Sequence, residues 1–214
     1  MKSFLIIGLS TFGSHLCKKL SSLDSEVMIA DEDTKKVESM TPYAVSARIA
    51  DCTNIDVLES FGVDEFDACF VCLGDHFSDA LEITFSLKEL GAKKVICEVN
   101  RDIEKKFLLR NGADQVVYPE YDLALRIAIS ESNDSIFDAI DLGEDYAIYE
   151  IATPSVWYGK TIRDLNIRQR HSLNIIAVKK NSELKPVLSP DYIFNAEDHL
   201  LVMGHINNIT SLIK

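Results

Sequence analysis

Four acids and a glycine-bounded turn carry whatever chemistry this chain offers. "FLIIGLSTFG" at positions 4–13 runs an apolar strand into Gly8, places a hydroxyl at Ser10 and closes on Gly13 ahead of a helical stretch. It is one residue away from the dinucleotide-binding pattern G-x-G-x-x-G, with serine as the middle residue. Gly8 permits the tight turn, Gly13 lets the helix pack close to the sheet, and the helix N-terminus offers free N–H groups to phosphate. Ser10 adds a Cβ where backbone approaches the phosphate and, in return, a hydroxyl that could donate to it. An acid, Asp31, ends the second strand at the spacing expected of a carboxylate that binds ribose hydroxyls. Its presence disfavours a 2′-phosphate and hence NADP. The other candidates also sit at strand ends: Asp51 in "ADCT", Gly74 in "LGD", Glu98, and Glu120 after Pro119. Acids at two strand ends beside phosphate suggest a divalent cation, which prefers hard oxygen ligands.

These residues need a parallel sheet to bring them together, and the chain has its pattern. Six short strands, "KSFLIIG", "EVMIAD", "AVSARIAD", "DACFVCLG", "KKVICEV" and "DQVVY", alternate with helical stretches over residues 1–118. The expected fold class is α/β: a Rossmann-like, doubly wound, parallel six-stranded sheet, a helical connector at 119–144 made of "YDLALRIAISES" and "DSIFDAIDL", and a small C-terminal α+β domain at 145–214. "GED" at 143–145 reads as a break before that domain.

The chain has 214 residues, 47% of them hydrophobic, and a net charge of −12 from 22 basic and 34 acidic residues. Such an acidic chain lacks the clustered Lys and Arg of a nucleic-acid face, and Lys18-Lys19 and Lys35-Lys36 read as solvated helix faces. Its apolar runs are shorter than the roughly 20 residues of a membrane helix, and its N-terminus reads as a strand rather than a secretory leader. Any membrane role therefore runs through a partner. The five cysteines read as buried thiols of a reducing compartment. Cys69 and Cys72 have C-x-x-C spacing, but three positions apart on a strand they face opposite sides and cannot share a metal.

The chain resembles the regulator-of-potassium-conductance (RCK) subunits of bacterial potassium uptake systems, the KtrA/KtrC/TrkA type with TrkA-N and TrkA-C domains. The resemblance runs end to end, through "IGLSTFGSHLCKKL", "FDACFVCLGD", "LKELGAKKV", "LLRNGADQVVYPEYD" and "SPDYIFNAEDHLLVMGH". It implies a gating subunit that is not an enzyme, lies in the cytoplasm at the inner face of the membrane, forms dimers that assemble into an octameric ring, and acts on a membrane potassium-translocating subunit of the KtrB or TrkH kind. It implies an adenine nucleotide, ATP/ADP or NAD(H), held by Gly8, Ser10, Thr11, Phe12, Gly13, Asp31, Asp51, Cys52 and Gly74, with Glu98 and Glu120 nearby and Glu120 helping to hold a cation. It further implies a cyclic di-AMP site in the C-terminal domain at Ile162, Arg168, Asn174, Ile175 and Pro190. Thr11 and Glu98 stand where many relatives carry arginine and lysine, and losing two positive charges weakens the hold on a triphosphate.

The alternative is a small NAD-dependent oxidoreductase. It lacks support: none of the seven tyrosines has a lysine four residues later, and the histidines at 15, 76, 171, 199 and 205 are scattered.

Overall fold

A computed structural model describes residues 1–181, 183–186 and 189–213, in two compact units, Met1–Tyr121 and Asp122–Lys214. The first unit contains β1 (Ser3–Ile7), α1 (Thr11–Ser21), β2 (Glu26–Asp31), α2 (Thr34–Met40), β3 (Ser46–Ile49), α3 (Ile55–Ser60), β4 (Ala68–Val71), α4 (Phe77–Glu89), β5 (Val95–Glu98), α5 (Asp102–Arg110) and β6 (Gln115–Val117). The strands lie in the order β3-β2-β1-β4-β5-β6, all parallel. The order reverses direction at β1, so the crevice beyond the carboxyl ends of β1 and β4 is where an open α/β sheet receives its ligands.

The four central strands, β2, β1, β4 and β5, are buried on both faces. Leu5 and Ile7 join one apolar cluster with Val71, Cys97 and Leu108, whereas Ile6 joins another with Cys17, Ile29 and Cys72. The alternation follows the period of two along a strand. Each fully buried Leu or Ile contributes about 1.5–3 kcal/mol of transfer free energy. Cys69 and Cys72 fall in different clusters, as their spacing requires.

The second unit takes in most of α6 (Pro119–Glu131), then β7 (Ile136–Gly143), β8 (Tyr146–Ala152), α7 (Ile162–Leu165), α8 (Ile167–His171), β9 (Asn174–Lys180), β10 (Glu183–Pro186), β11 (His199–His205) and α9 (Ile206–Leu212). Its strands form an antiparallel sheet in the order β10-β9-β11-β8-β7. Tyr149, Ile151, Leu200 and Val202 from its centre pack with Trp157, Leu173, Phe194 and Ile209. Residues 187 and 188 of "LKPVLSP", read as β-rich, lie outside the described residues.

One expectation is corrected here. "DSIFDAIDL" is not the connector's second helix; it is strand β7, paired with β8 from Ile136↔Ile151 to Gly143↔Tyr146. "GED" is the hairpin turn, in which Glu144 and Asp145 both take positive φ (53° and 62°). Two consecutive left-handed residues make the tight reversal that suits strand twist. Pairing with β8 decides the conformation of a segment whose apolar spacing suits either element. Only the first half of the 119–144 connector is helical, and β7 belongs to the C-terminal sheet.

Candidate functional site

The loop between β1 and α1 is closed almost entirely by its own hydrogen bonds. Gly8, at φ +86°, donates its N–H to Ala30 O at 2.8 Å. A side chain there would place Cβ 2.3 Å from the Cys72 carbonyl oxygen, so backbone strain and sterics both require glycine. Leu9 N–H goes to Asp31 Oδ2 at 2.6 Å, and Ser10 N–H to Cys72 O at 3.3 Å. Ser10 caps α1: its Oγ accepts Gly13 N–H at 3.1 Å, and its carbonyl accepts Ser14 N–H at 2.9 Å. Gly13 packs so tightly that an added Cβ would sit 2.6 Å from Gly8 O and 2.8 Å from Cys72 Cβ. Among the described residues, Thr11 and Phe12 are left with backbone N–H groups that have no partner at this helix start.

Asp31 ends β2 nearly buried, 8% exposed. Its Oδ1 accepts Asp33 N–H at 2.8 Å, and Lys36 Nζ stands 3.7 Å from Oδ2. Of the four lone-pair positions on a carboxylate, these amides use two, so an acceptor remains for a ribose hydroxyl. Asp51 is turned locally: its Oδ1 accepts both the N–H and the hydroxyl of Thr53. Those bonds, the hydroxyl's foremost, lower its pKa. Cys52 is buried, and burial, reinforced by Asp51 and Asp31, pushes its thiol up to about 12.

These groups open on a cleft of about 100 Å³ at the carboxyl ends of β1 to β4. Gly8, Ser10, Asp31, Asp51 and Cys52 line it. Thr11, Phe12, Gly13, Gly74, Glu98 and Glu120 do not. Phe12 and Gly13 pack inward under the turn. Gly74, at φ +61°, has open space where a Cβ would be. Glu98 ends β5 with 7% exposure and accepts the Ser10 hydroxyl at 2.6 Å on Oε2. Burial raises its pKa; the Ser10 hydroxyl and the Gly74 amide oppose that rise, while Glu120 and Asp75 reinforce it. Glu120 is exposed at the start of α6. Among the described residues no three His, Cys, Asp or Glu side chains converge as metal ligands.

The cleft has five polar lining residues that sequence reasoning passed over: Glu32, Lys36, Thr53, His76 and Asp79. Lys36 had looked like part of a solvated face. The available signal was its place in the first turn of the helix that follows the strand-end acid, where Asp33 caps α2 by accepting the N–H of Lys35 and Lys36.

In the second unit, Ile162, Arg168, Asn174 and Ile175 line a cavity of about 370 Å³ together with Arg163, Asn166, Ile167 and Leu173. Pro190 does not line it; its carbonyl accepts the Arg163 N–H at 2.9 Å from outside. The second arginine, Arg163, was not anticipated, and its guanidinium is paired with Asp191 at 3.0 Å.

Residues 4–119 match the TrkA-N domain and residues 146–214 the TrkA-C domain. The chain belongs to the TrkA-N/TrkA-C, or RCK, family. Among TrkA-N/TrkA-C proteins it is 35% identical to the Ktr system potassium uptake protein C of Bacillus subtilis, over 100% of this chain and 96% of that protein. It is 32% identical to the Ktr system potassium uptake protein A of the same organism, over 97% and 94%. The GsuK channel bound to NAD superposes with a TM-score of 0.74 at 19% identity, covering 100% of this chain and 39% of that one. The GsuK RCK domain gives 0.69 at 20% identity, over 99% and 47%. This chain thus spans less than half of either GsuK chain, and the likeness to them is one of fold. No helix among the described residues is long and apolar enough to cross a membrane.

Proposed function

We propose that the chain is the regulatory subunit of a potassium uptake system, a binding module and not an enzyme, which reports adenine-nucleotide state to a membrane potassium-translocating partner from the cytoplasmic side. The observation that carries the reading is the cleft where β1, β2 and β4 end. There the Gly8–Gly13 turn, the Asp31 carboxylate and the walls from Asp51 and Cys52 form a place for an adenosine moiety. The full-length similarity to the two Ktr proteins supports the potassium-uptake assignment. ATP/ADP and NAD(H) are the candidate ligands. The exposed apolar side chains of α6, Tyr121, Leu123 and Ile127, fit a chain that works as a homodimer within a larger ring, here an octamer.

Bound nucleotide shifts the population between two shapes of that assembly, and by no more than its differential affinity for the two. The Asp31 carboxylate orients the ribose, and the turn sets how much phosphate charge is accepted. The C-terminal cavity is assigned to cyclic di-AMP, with Arg168 on a phosphate and Ile162 and Ile175 against adenine.

Thermal unfolding in the presence of ATP, ADP, NAD and NADH tests the first site. Stabilisation by at least one of them is expected, lost in Asp31→Ala; an equal shift in that variant would refute the assignment. For the second site, calorimetry with cyclic di-AMP should show binding that Arg168→Ala removes, and full retention would move the ligand elsewhere. Restored potassium uptake in cells lacking their own such subunit tests the physiological role.

A further inference from the structure

The turn that would receive a nucleotide's phosphate already holds a side-chain carboxyl group. Of the turn's two hydroxyl side chains, Ser10 and the exposed Thr11, the Ser10 hydroxyl is given to Glu98 Oε2 at 2.6 Å. The Gly13 amide is given to Ser10 Oγ, and the amides of Gly8, Leu9, Ser10 and Ser14 are committed to Ala30, Asp31, Cys72 and Ser10. An incoming phosphate therefore finds the Thr11 and Phe12 amides and a carboxylate beside them. The charged groups that act on Glu98, Asp75 after β4 and Glu120 at the start of α6, are both acidic. The titratable group against it on β4 is the Cys72 thiol, which burial keeps protonated. Lys36, the lysine that lines the cleft, stands beside Asp31 and not beside Glu98, so a phosphate at the Ser10 hydroxyl would add like charge to a nearly buried carboxylate.

We infer that Glu98 is the residue that sets ligand specificity at this cleft: it competes with phosphate for the Ser10 hydroxyl, so adenosine enters freely whereas a phosphorylated adenosine binds only as Glu98 takes up a proton. The inference rests on the nucleotide reading above. Burial already biases Glu98 toward its neutral form, and a neutral carboxyl can donate to the phosphate that its anion would repel. The balance is simple: one proton moves from solvent to Glu98 Oε for each phosphate-bearing ligand bound. The affinity of such a ligand, relative to adenosine, therefore rises as pH falls through the range where free Glu98 is ionised.

Isothermal titration calorimetry on the full chain tests this with NAD and adenosine as probes. NAD suits the purpose because its pyrophosphate does not titrate near neutrality. Titrations at about pH 8 and about pH 6, in buffers of different ionisation enthalpy, count the protons taken up. The expected result is about a tenfold rise in the NAD-to-adenosine affinity ratio for each pH unit over which Glu98 is titrating. It should come with uptake of about one proton per NAD, and none for adenosine. Glu98→Gln should raise the ratio at about pH 8 by about tenfold or more and flatten its pH dependence. His76 also lines the cleft; a pH dependence that survives in Glu98→Gln overturns the inference. So does a wild-type ratio that is the same at both pH values with no proton uptake, a result that needs no variant to fold. Failure of both adenosine and NAD to bind overturns the inference, and failure of ATP and ADP as well overturns the nucleotide reading itself. Binding of both without proton linkage overturns only the role of Glu98.

Discussion

Asp31 Oδ2 and the Leu9 amide meet at 2.6 Å, so the ribose-side acid of the cleft also locks the phosphate-side turn. The bond is buried and spans 22 residues of sequence. Removing a partner leaves a desolvated donor, at a cost of about 1–3 kcal/mol. Asp31→Ala should lose stability of that size in urea unfolding, while Asp31→Asn, which keeps an acceptor, should lose less than half as much. Equal losses in the two variants would show that the turn does not depend on this bond.

The positive-φ glycines that follow β1 and β4 are not equivalent. Gly8→Ala combines positive φ with a backbone collision, and it should cost about 3 kcal/mol or more. Gly74→Ala also sits at positive φ but meets nothing within 4 Å, so about 1 kcal/mol is expected. Denaturant midpoints of the two variants measured side by side check the order; a reversal would contradict the packing of Gly8 against Cys72.

The six strands through Val117 and their helices were legible because doubly covered strands are apolar almost throughout, with breakers between them. The Asp31 carboxylate was legible from its spacing to the turn. β7 was not, because Ile136, Phe137, Ala139, Ile140 and Leu142 satisfy a helical spacing and a strand spacing equally, and only the pairing with β8 decides. The destination of the Ser10 hydroxyl was hidden too. Glu98 lies 88 residues away, and nothing local says that the two strand ends adjoin or that the serine spends its proton on a carboxylate rather than on a ligand.

Acid should weaken the C-terminal unit through Glu150. Burial alone would raise its pKa, but hydrogen bonds from Lys179 at 2.9 Å and His199 at 3.0 Å hold it below its ordinary value of 4.5. A carboxylate depressed in the folded state adds stability that is complete above its unfolded value and lost as pH falls through the folded one. Wild-type unfolding free energy should therefore drop as pH is lowered below about 4.5. Glu150→Gln should flatten that part of the profile, and a variant curve parallel to wild type would remove Glu150 as its source.

All five thiols should be silent in the native protein. Each cysteine is free and buried. Burial pushes Cys17 and Cys97 up to about 11 and Cys52 and Cys69 to about 12, and Cys72 is raised as well. Thiolate is the reactive form. Ellman's reagent near pH 8 should thus titrate almost none until denaturant is added, then five per chain. Fast reaction of one native thiol would expose an error in the packing around it.

β7 closes one side of the antiparallel sheet, and its free edge offers backbone groups to any strand that passes. Its ladder to β8 shifts register between Ile136 and Asp138 and again between Asp141 and Gly143. Phe137, Ile140 and Leu142 stay exposed along it. A straight strand of that composition would invite edge-to-edge stacking of chains into filaments. The two bulges bend the edge and Asp141 adds a charge to it, both of which disfavour such a guest, whereas the Asp138 carboxylate is paired with Arg126. A segment that resembles a helix on paper thereby also limits strand pairing at the edge of the C-terminal sheet.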